Sequence, residues 1–414
     1  MSCEVAVMNK HGVGLAADSA LSVGDGQKVY RTAEKLFKIA DAPIAIMAYG
    51  CAEIMGVPWE IVIKSYVRQL GERRFPAAEQ YGEDFLRFVE ASDMLFPTSA
   101  QRDWFRRVIE SVWKTDIREP WRKKLDGAPQ RNPRKAAALL LQTIKEELAG
   151  FRGVAAIETL GQAYGEQIVS EYAEVLQEAE ARLFHDVRLT DEIRDALRRL
   201  VKLMHTHQWF HPDNVSGLVV AGFGEAQLFP SLYIYSAGTV VASRLRWLKV
   251  DEAHVDREHP VIIIPFAQTD MIDLFCTGIY PALKERLVDI IVKCLPPRRD
   301  ARKVGAHAHK GAKSRRAQAQ ETAKTVGAII EKEFQEKYTL PLISSVDVLS
   351  RFELAKMAEA LVSLTAFKAR MSSQQQETVG GPIDVAVISK GEGFAWVKQK
   401  NTLKQEDAAT FLMP

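Results

Sequence analysis

Three side chains near the start of the chain have the types that amide chemistry uses: the Ser2 hydroxyl, the Asp18 carboxylate and the Lys35 ammonium. A serine hydroxyl is a weak nucleophile until a neighbouring base takes its proton in the transition state. Ser2 directly follows Met1, and a methionine ahead of a small residue is ordinarily removed, so the mature chain is expected to begin at Ser2. The freed α-amino group, with an ordinary pKa of about 7.7–8.0, then serves as a base near neutral pH. Each residue alone has a bland reading: the residue after an initiator, the end of a strand, a solvated lysine. Three other patterns invite chemistry. His205, His207 and His211 have a spacing that suits a divalent metal, but only Asp213 follows as a further ligand type, and the group reads as a surface or junction cluster. Between 293 and 316 nine basic residues face the single acid Asp300. Without interleaved aromatics this is a solvated excursion and not a nucleic-acid site. Gly222-Phe223-Gly224-Glu225 has neither the length nor the Lys-Ser/Thr of a phosphate cradle. No metal and no cofactor are expected.

The elements that must position Ser2, Asp18 and Lys35 can be read from pattern. Cys3 to Asn9 and Val13 to Ala17 predict two strands joined by a polar turn through Gly12. Lys35 to Ile39 and Ile44 to Ala48 predict two more, with Tyr49-Gly50 breaking the pattern. Apolar positions recur at helical spacing from Ala52 to Leu70, with a kink or restart at Pro58. Residues 71–207 carry amphipathic helical patterns and read as an insertion with its own core, Trp104, Trp113 and Trp121 being core or subunit contacts. Strands return at Ser216 to Gly222, Ser231 to Ser236 and Val240 to Trp247, with a buried one at Val261 to Ile264. Thr269 to Cys294 and Val346 to Met371 predict helices, and Ile383 to Ser389 with Phe394 to Lys398 a closing hairpin. This order predicts an α+β fold in which two antiparallel sheets stack face to face between helices, a four-layer αββα sandwich.

Composition fits such a fold. Of 414 residues 47% are apolar and 26% charged, and the net charge of +2 gives no bulk attraction to nucleic acid or membrane. Four scattered cysteines suit a reducing compartment, no apolar run reaches a membrane span, and the N-terminus has no signal-peptide pattern. A cytoplasmic location is expected.

Several segments resemble the proteasome β-subunit family and its bacterial relatives, including the ancestral β-type homologue. These are Ser2-Cys3-Glu4-Val5-Ala6-Val7, His11 to Ser19, Thr32-Ala33-Glu34-Lys35-Leu36, Met47 to Glu53, and Val379-Gly380-Gly381-Pro382-Ile383-Asp384. The resemblance covers about half of the chain in three ordered pieces. It implies a discontinuous N-terminal-nucleophile hydrolase core (residues 1–70, 208–290 and 347–414), a helical insertion at 71–207, and a basic loop with a helix at 293–346. Ser2 would attack a peptide bond and form an acyl-enzyme, Lys35 would favour the developing alkoxide, and Asp18 would hold Lys35. The backbone N–H groups of Tyr49 and Gly50 fall at the family's oxyanion position. The supporting positions fall near Ser19, Thr269, Asp270 and Glu377. A serine replaces the family's usual first threonine, and Tyr49 replaces a small glycine. The resemblance further implies a homo-oligomeric ring, peptide or unfolded-protein substrates and an ATPase unfoldase as partner. Two alternatives are a non-catalytic proteasome-like subunit for structure or binding, and an amidase of the same type acting on a small amide.

Overall fold

The computed structural model describes residues 2–23, 28–30, 33–128, 132–280, 282–284, 286–287, 290, 325–371 and 379–400. The basic stretch at 293–316 and Glu377 lie outside them. The strands are β1 (Cys3–Asn9), β2 (Gly12–Ala17), β3 (Leu21–Val23), β4 (Lys28–Tyr30), β5 (Leu36–Lys38), β6 (Ile44–Gly50), β7 (Glu53–Ile54) and β8 (Val57–Pro58). After the helices come β9 (Ser216–Gly222), β10 (Ser231–Val241), β11 (Arg244–His254), β12 (Val261–Ala267), β13 (Asp384–Ser389) and β14 (Gly393–Lys398). Two five-stranded sheets have the orders β12-β1-β2-β13-β14 and β11-β10-β9-β6-β5, so the fold mixes antiparallel sheets with helices. The chain forms two compact units, one of Met1–Ala45, Ala221–Ser231 and Ala253–Pro414, the other of Ile46–Val220 and Leu232–Glu252.

In the first unit the predicted N-terminal hairpin forms with Glu4 opposite Ala17 and Asn9 opposite Gly12. Every residue of β1 and β2 is buried, which is why these strands read as continuous apolar runs. Successive strand side chains point to opposite faces. Cys3, Val5 and Val7 face a core with Leu354, Ala355, Ala358 and Val362 of the helix Arg351–Met371. Gly14 permits close approach there: a Cβ at this position would lie 2.5 Å from the Leu354 carbonyl carbon.

The predicted helix from Val346 to Met371 is two helices, Leu340–Asp347 and Arg351–Met371. The buried Asn9 causes the break locally, its Nδ2 donating to the carbonyls of Val346 (2.8 Å) and Leu349 (2.9 Å). Glu353 accepts the Ser350 N–H, the start signal of the second helix. The strand expected to be buried at Val261 to Ile264 is β12, a half-exposed edge strand that tolerates Pro265 because edge N–H groups need no partner.

In the second unit, Tyr49 and Gly50 are the last two residues of β6 and do not break the strand. The helix predicted from Ala52 begins at Trp59, after the short β7–β8 ladder, so Pro58 starts the helix and does not kink it. The strand predicted from Val240 to Trp247 contains a turn at Ala242 and Ser243, both with positive φ. These two residues carry no glycine or asparagine signal for a tight hairpin. Helical residues hold the turn: the N–H of Ala242 donates to the Tyr172 hydroxyl and that of Ser243 to Gln101 Oε1. The helices share a core that includes Phe105, Ile109, Trp113, Trp121, Leu140, Leu197 and Val201. Trp104 is half-buried, with the Arg107 guanidinium over its ring. Among the described residues no helix is long and apolar enough to cross a membrane.

Candidate active site

Ser2 and Glu4 are two residues apart along an extended chain, so their side chains share a face, opposite that of Cys3. Ser2 Oγ donates to Glu4 Oε2 at 3.1 Å. The Ser2 carbonyl accepts the N–H of Gln268, which fixes the start of β1 against the end of β12. Lys35, in the segment leading into β5, places Nζ 2.5 Å from Asp18 Oδ1 and 3.1 Å from Glu4 Oε1. Ser2 is 5% exposed and Lys35 6%, while Glu4 and Asp18 are fully buried. The first unit thus gathers Ser2, Asp18 and Lys35 around Glu4, a residue the sequence reading passed over. The available signal was a lone charge two positions after Ser2 inside an apolar strand.

Asp18 is held by more than the lysine. Its Oδ1 accepts the Cys3 N–H (3.3 Å) and its Oδ2 the Gly380 N–H (2.9 Å). The Gly380-Gly381 step supplies that donor, and Gly381 sits at φ +85°, where a side chain is strained. Ser19 ties the same step to β2, its N–H donating to the Gly380 carbonyl and its hydroxyl to that of Pro382. A second buried ion pair secures the approach to Lys35. Lys400 Nζ lies 3.0 Å from Asp384 Oδ2 and also donates to the Ala33 carbonyl. Asp384 stands opposite Ala17 on β13.

Burial drives the Glu4 carboxyl up to about 7 against the pull of Lys35. For Lys35 burial acts downward, but Glu4 and Asp18 together outweigh it, and the ammonium is held above its ordinary range. Burial pushes the Cys3 thiol up to about 12, so it is an inert core group and no rival nucleophile. The arrangement offers a hydroxyl bonded to a carboxylate of near-neutral affinity, next to a cation that can stabilise developing negative charge.

Thr269 directly follows Gln268, whose N–H donates to the Ser2 carbonyl. Thr269 and Asp270 lead into the helix Asp270–Thr277, the Thr269 carbonyl accepting from Ile272 and Asp273. Tyr49 and Gly50 belong to the second unit, where the Tyr49 ring lies over Gly217 so closely that a Cβ there would collide with it. His205 is buried, its Nδ1 2.8 Å from the Val201 carbonyl, and burial lowers its pKa to about 3. His207 Nδ1 meets Thr206 Oγ1 and His211 Nδ1 accepts the Asp213 N–H. Among the described residues no group of three or more histidine, cysteine or acidic side chains is placed to hold a metal ion.

No protein-family model and no curated protein matches the sequence. The solved structures it is similar to include a Gly-1 mutant of Anbu from Hyphomicrobium sp. strain MC1 (TM-score 0.28, 9% identity, covering 97% of this chain and 86% of that one). Another is Anbu, described as an ancestral beta-subunit, from Yersinia bercovieri (TM-score 0.25, 9% identity, covering 96% and 88%).

Proposed function

We propose that this chain is a proteasome-like N-terminal-nucleophile hydrolase, its two five-stranded sheets forming the inner layers of an αββα sandwich. It cleaves amide bonds of peptides or unfolded proteins through an acyl-enzyme on Ser2 once Met1 is removed. The observation that carries this reading is the buried line Ser2–Glu4–Lys35–Asp18, in which a hydroxyl at the chain's second residue is wired to a carboxylate and a lysine. Burying four polar groups in one place is costly unless they satisfy one another, and a hydroxyl bonded to a neighbouring base is what acyl transfer uses.

In this reading Oγ attacks the carbonyl and its proton passes to a base beside it. Lys35 favours the anionic intermediate, and Asp18, fixed by two backbone N–H groups, holds Lys35. The N–H groups of Tyr49 and Gly50 are proposed as oxyanion donors, and Ser19, Thr269, Asp270 and Glu377 as supporting residues. Homo-oligomeric assembly is proposed too. Val348, Phe352, Phe367 and Met371, each at least half exposed, leave apolar surface on and beside the helix Arg351–Met371 that a second copy would cover. A ring would receive its substrates from an ATPase unfoldase in the cytoplasm.

The test is covalent. Intact mass reports whether Met1 is absent, and a β-lactone or peptide-ketone probe should label the wild type at Ser2 and leave Ser2→Ala unmodified. A folded wild type lacking Met1 that stays unlabelled would overturn the reading in favour of a non-catalytic subunit. Turnover of small amides but not peptides would narrow it to an amidase.

A further inference from the structure

We propose that Glu4 takes the proton of Ser2 Oγ as the hydroxyl attacks, so that the base of this site is a carboxylate on the same strand as the nucleophile. The proposal rests on the reading of Ser2 as nucleophile and adds a catalytic residue to it.

Geometry comes first. A general base must lie within hydrogen-bond reach of the proton it removes, and Ser2 Oγ already donates to Glu4 Oε2 at 3.1 Å. The contact follows from the backbone, because residues two apart on β1 face the same side, and β1 is fixed by β2 and β12 on either edge. The other oxygen, Oε1, faces the Lys35 ammonium at 3.1 Å. Protonation at Oε2 leaves the Oε1–Lys35 contact in place, and Lys35 stays bound to Asp18.

The groups around Glu4 leave it the right affinity. On β1 they are Ser2 and Cys3; from β2 come Ala17 in register and then Asp18; from β12 comes Phe266 in register; before β5 stands Lys35. Cys3 and Lys35 are both pushed away from neutrality, whereas burial brings Glu4 to about 7. A carboxyl raised toward neutrality both accepts and returns a proton in the neutral range.

The step balances. The proton leaves Oγ for Glu4 Oε2 as the Oγ–carbon bond forms and the carbonyl π pair moves onto oxygen. When the intermediate collapses, the carbon–nitrogen bond breaks and the departing amine takes the proton from Glu4. Water then attacks the ester, giving a proton to Glu4 that returns to Ser2 Oγ as the acid leaves.

The experiment measures the second-order rate of β-lactone labelling at Ser2 from pH 5.5 to 9 for wild type, Glu4→Gln and Glu4→Asp, with Ser2→Ala as background. The wild-type rate should rise through an inflection near 7. Glu4→Gln should lose that inflection and label on the order of a hundredfold more slowly at pH 7. Glu4→Asp should restore an inflection with an intermediate rate. Glu4→Gln labelling at the wild-type rate with the inflection intact overturns the role of Glu4 alone. If Glu4→Gln does not fold, Glu4→Asp decides: its carboxylate is one methylene short of Oγ, and a wild-type rate overturns the proposal. A wild type that labels at no pH overturns the Ser2 reading, and this proposal with it.

Discussion

Replacing Glu4 by glutamine should stabilise the protein above neutral pH while damaging the chemistry. In the unfolded chain Glu4 titrates at its ordinary 4.5, and in the folded chain at about 7. Between these values the folded chain holds a proton that the unfolded chain has released. Stability therefore falls as pH rises through this window, and the loss is complete above about 7. At 1.36 kcal/mol per pKa unit, a rise of roughly 2.5 units amounts to on the order of 3 kcal/mol. Glutamine imitates the protonated acid: it can still accept from Ser2 Oγ, and it leaves Lys35 bound to Asp18. The two proteins should thus have equal stability near pH 4.5, with Glu4→Gln ahead by about 3 kcal/mol at pH 8. Urea midpoints measured at half-unit intervals from pH 4.5 to 8.5 read the difference directly. A constant gap, or a glutamine variant that is the weaker protein at pH 8, would refute the claim that burial has lifted this carboxyl.

Two further substitutions probe the same unit. Lys35→Met leaves Asp18 and Glu4 buried without their cation, and breaking a buried pair in this way costs about 3–5 kcal/mol. The penalty should be smaller at pH 5.5, where Glu4 is protonated, than at pH 8, and labelling of Ser2 should vanish; equal urea midpoints for variant and wild type at pH 8 contradict this. Gly14→Ala places a Cβ 2.5 Å from the Leu354 carbonyl carbon and 2.6 Å from the Ala355 nitrogen, backbone atoms that cannot swing aside. A loss of about 1–3 kcal/mol is expected, and an unchanged melting temperature would show that strand and helix are not this close.

Much of the N-terminal fold was legible because it rests on short-range rules. The Cys3–Asn9 strand was read to the residue, since its apolar run ends in a polar turn closed by Gly12. The misses arose where a distant residue decides the local outcome. Ala242 and Ser243 are unremarkable in sequence, yet they form a left-handed turn because Tyr172 and Gln101, far away in the chain, satisfy their N–H groups. The break between Leu340–Asp347 and Arg351–Met371 depends on Asn9, more than three hundred residues earlier. One local clue to that break was present, because Ser350 and Glu353 have the spacing of a helix start.

The site divides in the same way. Asp18 and Lys35 were expected to meet, and they do. Glu4 is not marked by its residue type, and its position on the strand is the informative feature. Six of the seven residues of β1 suit a buried strand or its closing turn, and the glutamate does not. A hydrophobic side chain there would have avoided the desolvation of a carboxylate, which Lys35 offsets only in part. Sequences that fold well agree with themselves at every level, and the usual place for one to disagree is where it does chemistry. A charge that weakens its own strand, on the face shared with the chain's second residue and bonded to that residue's hydroxyl, is therefore better explained by what it does to Ser2 than by anything it contributes to the fold.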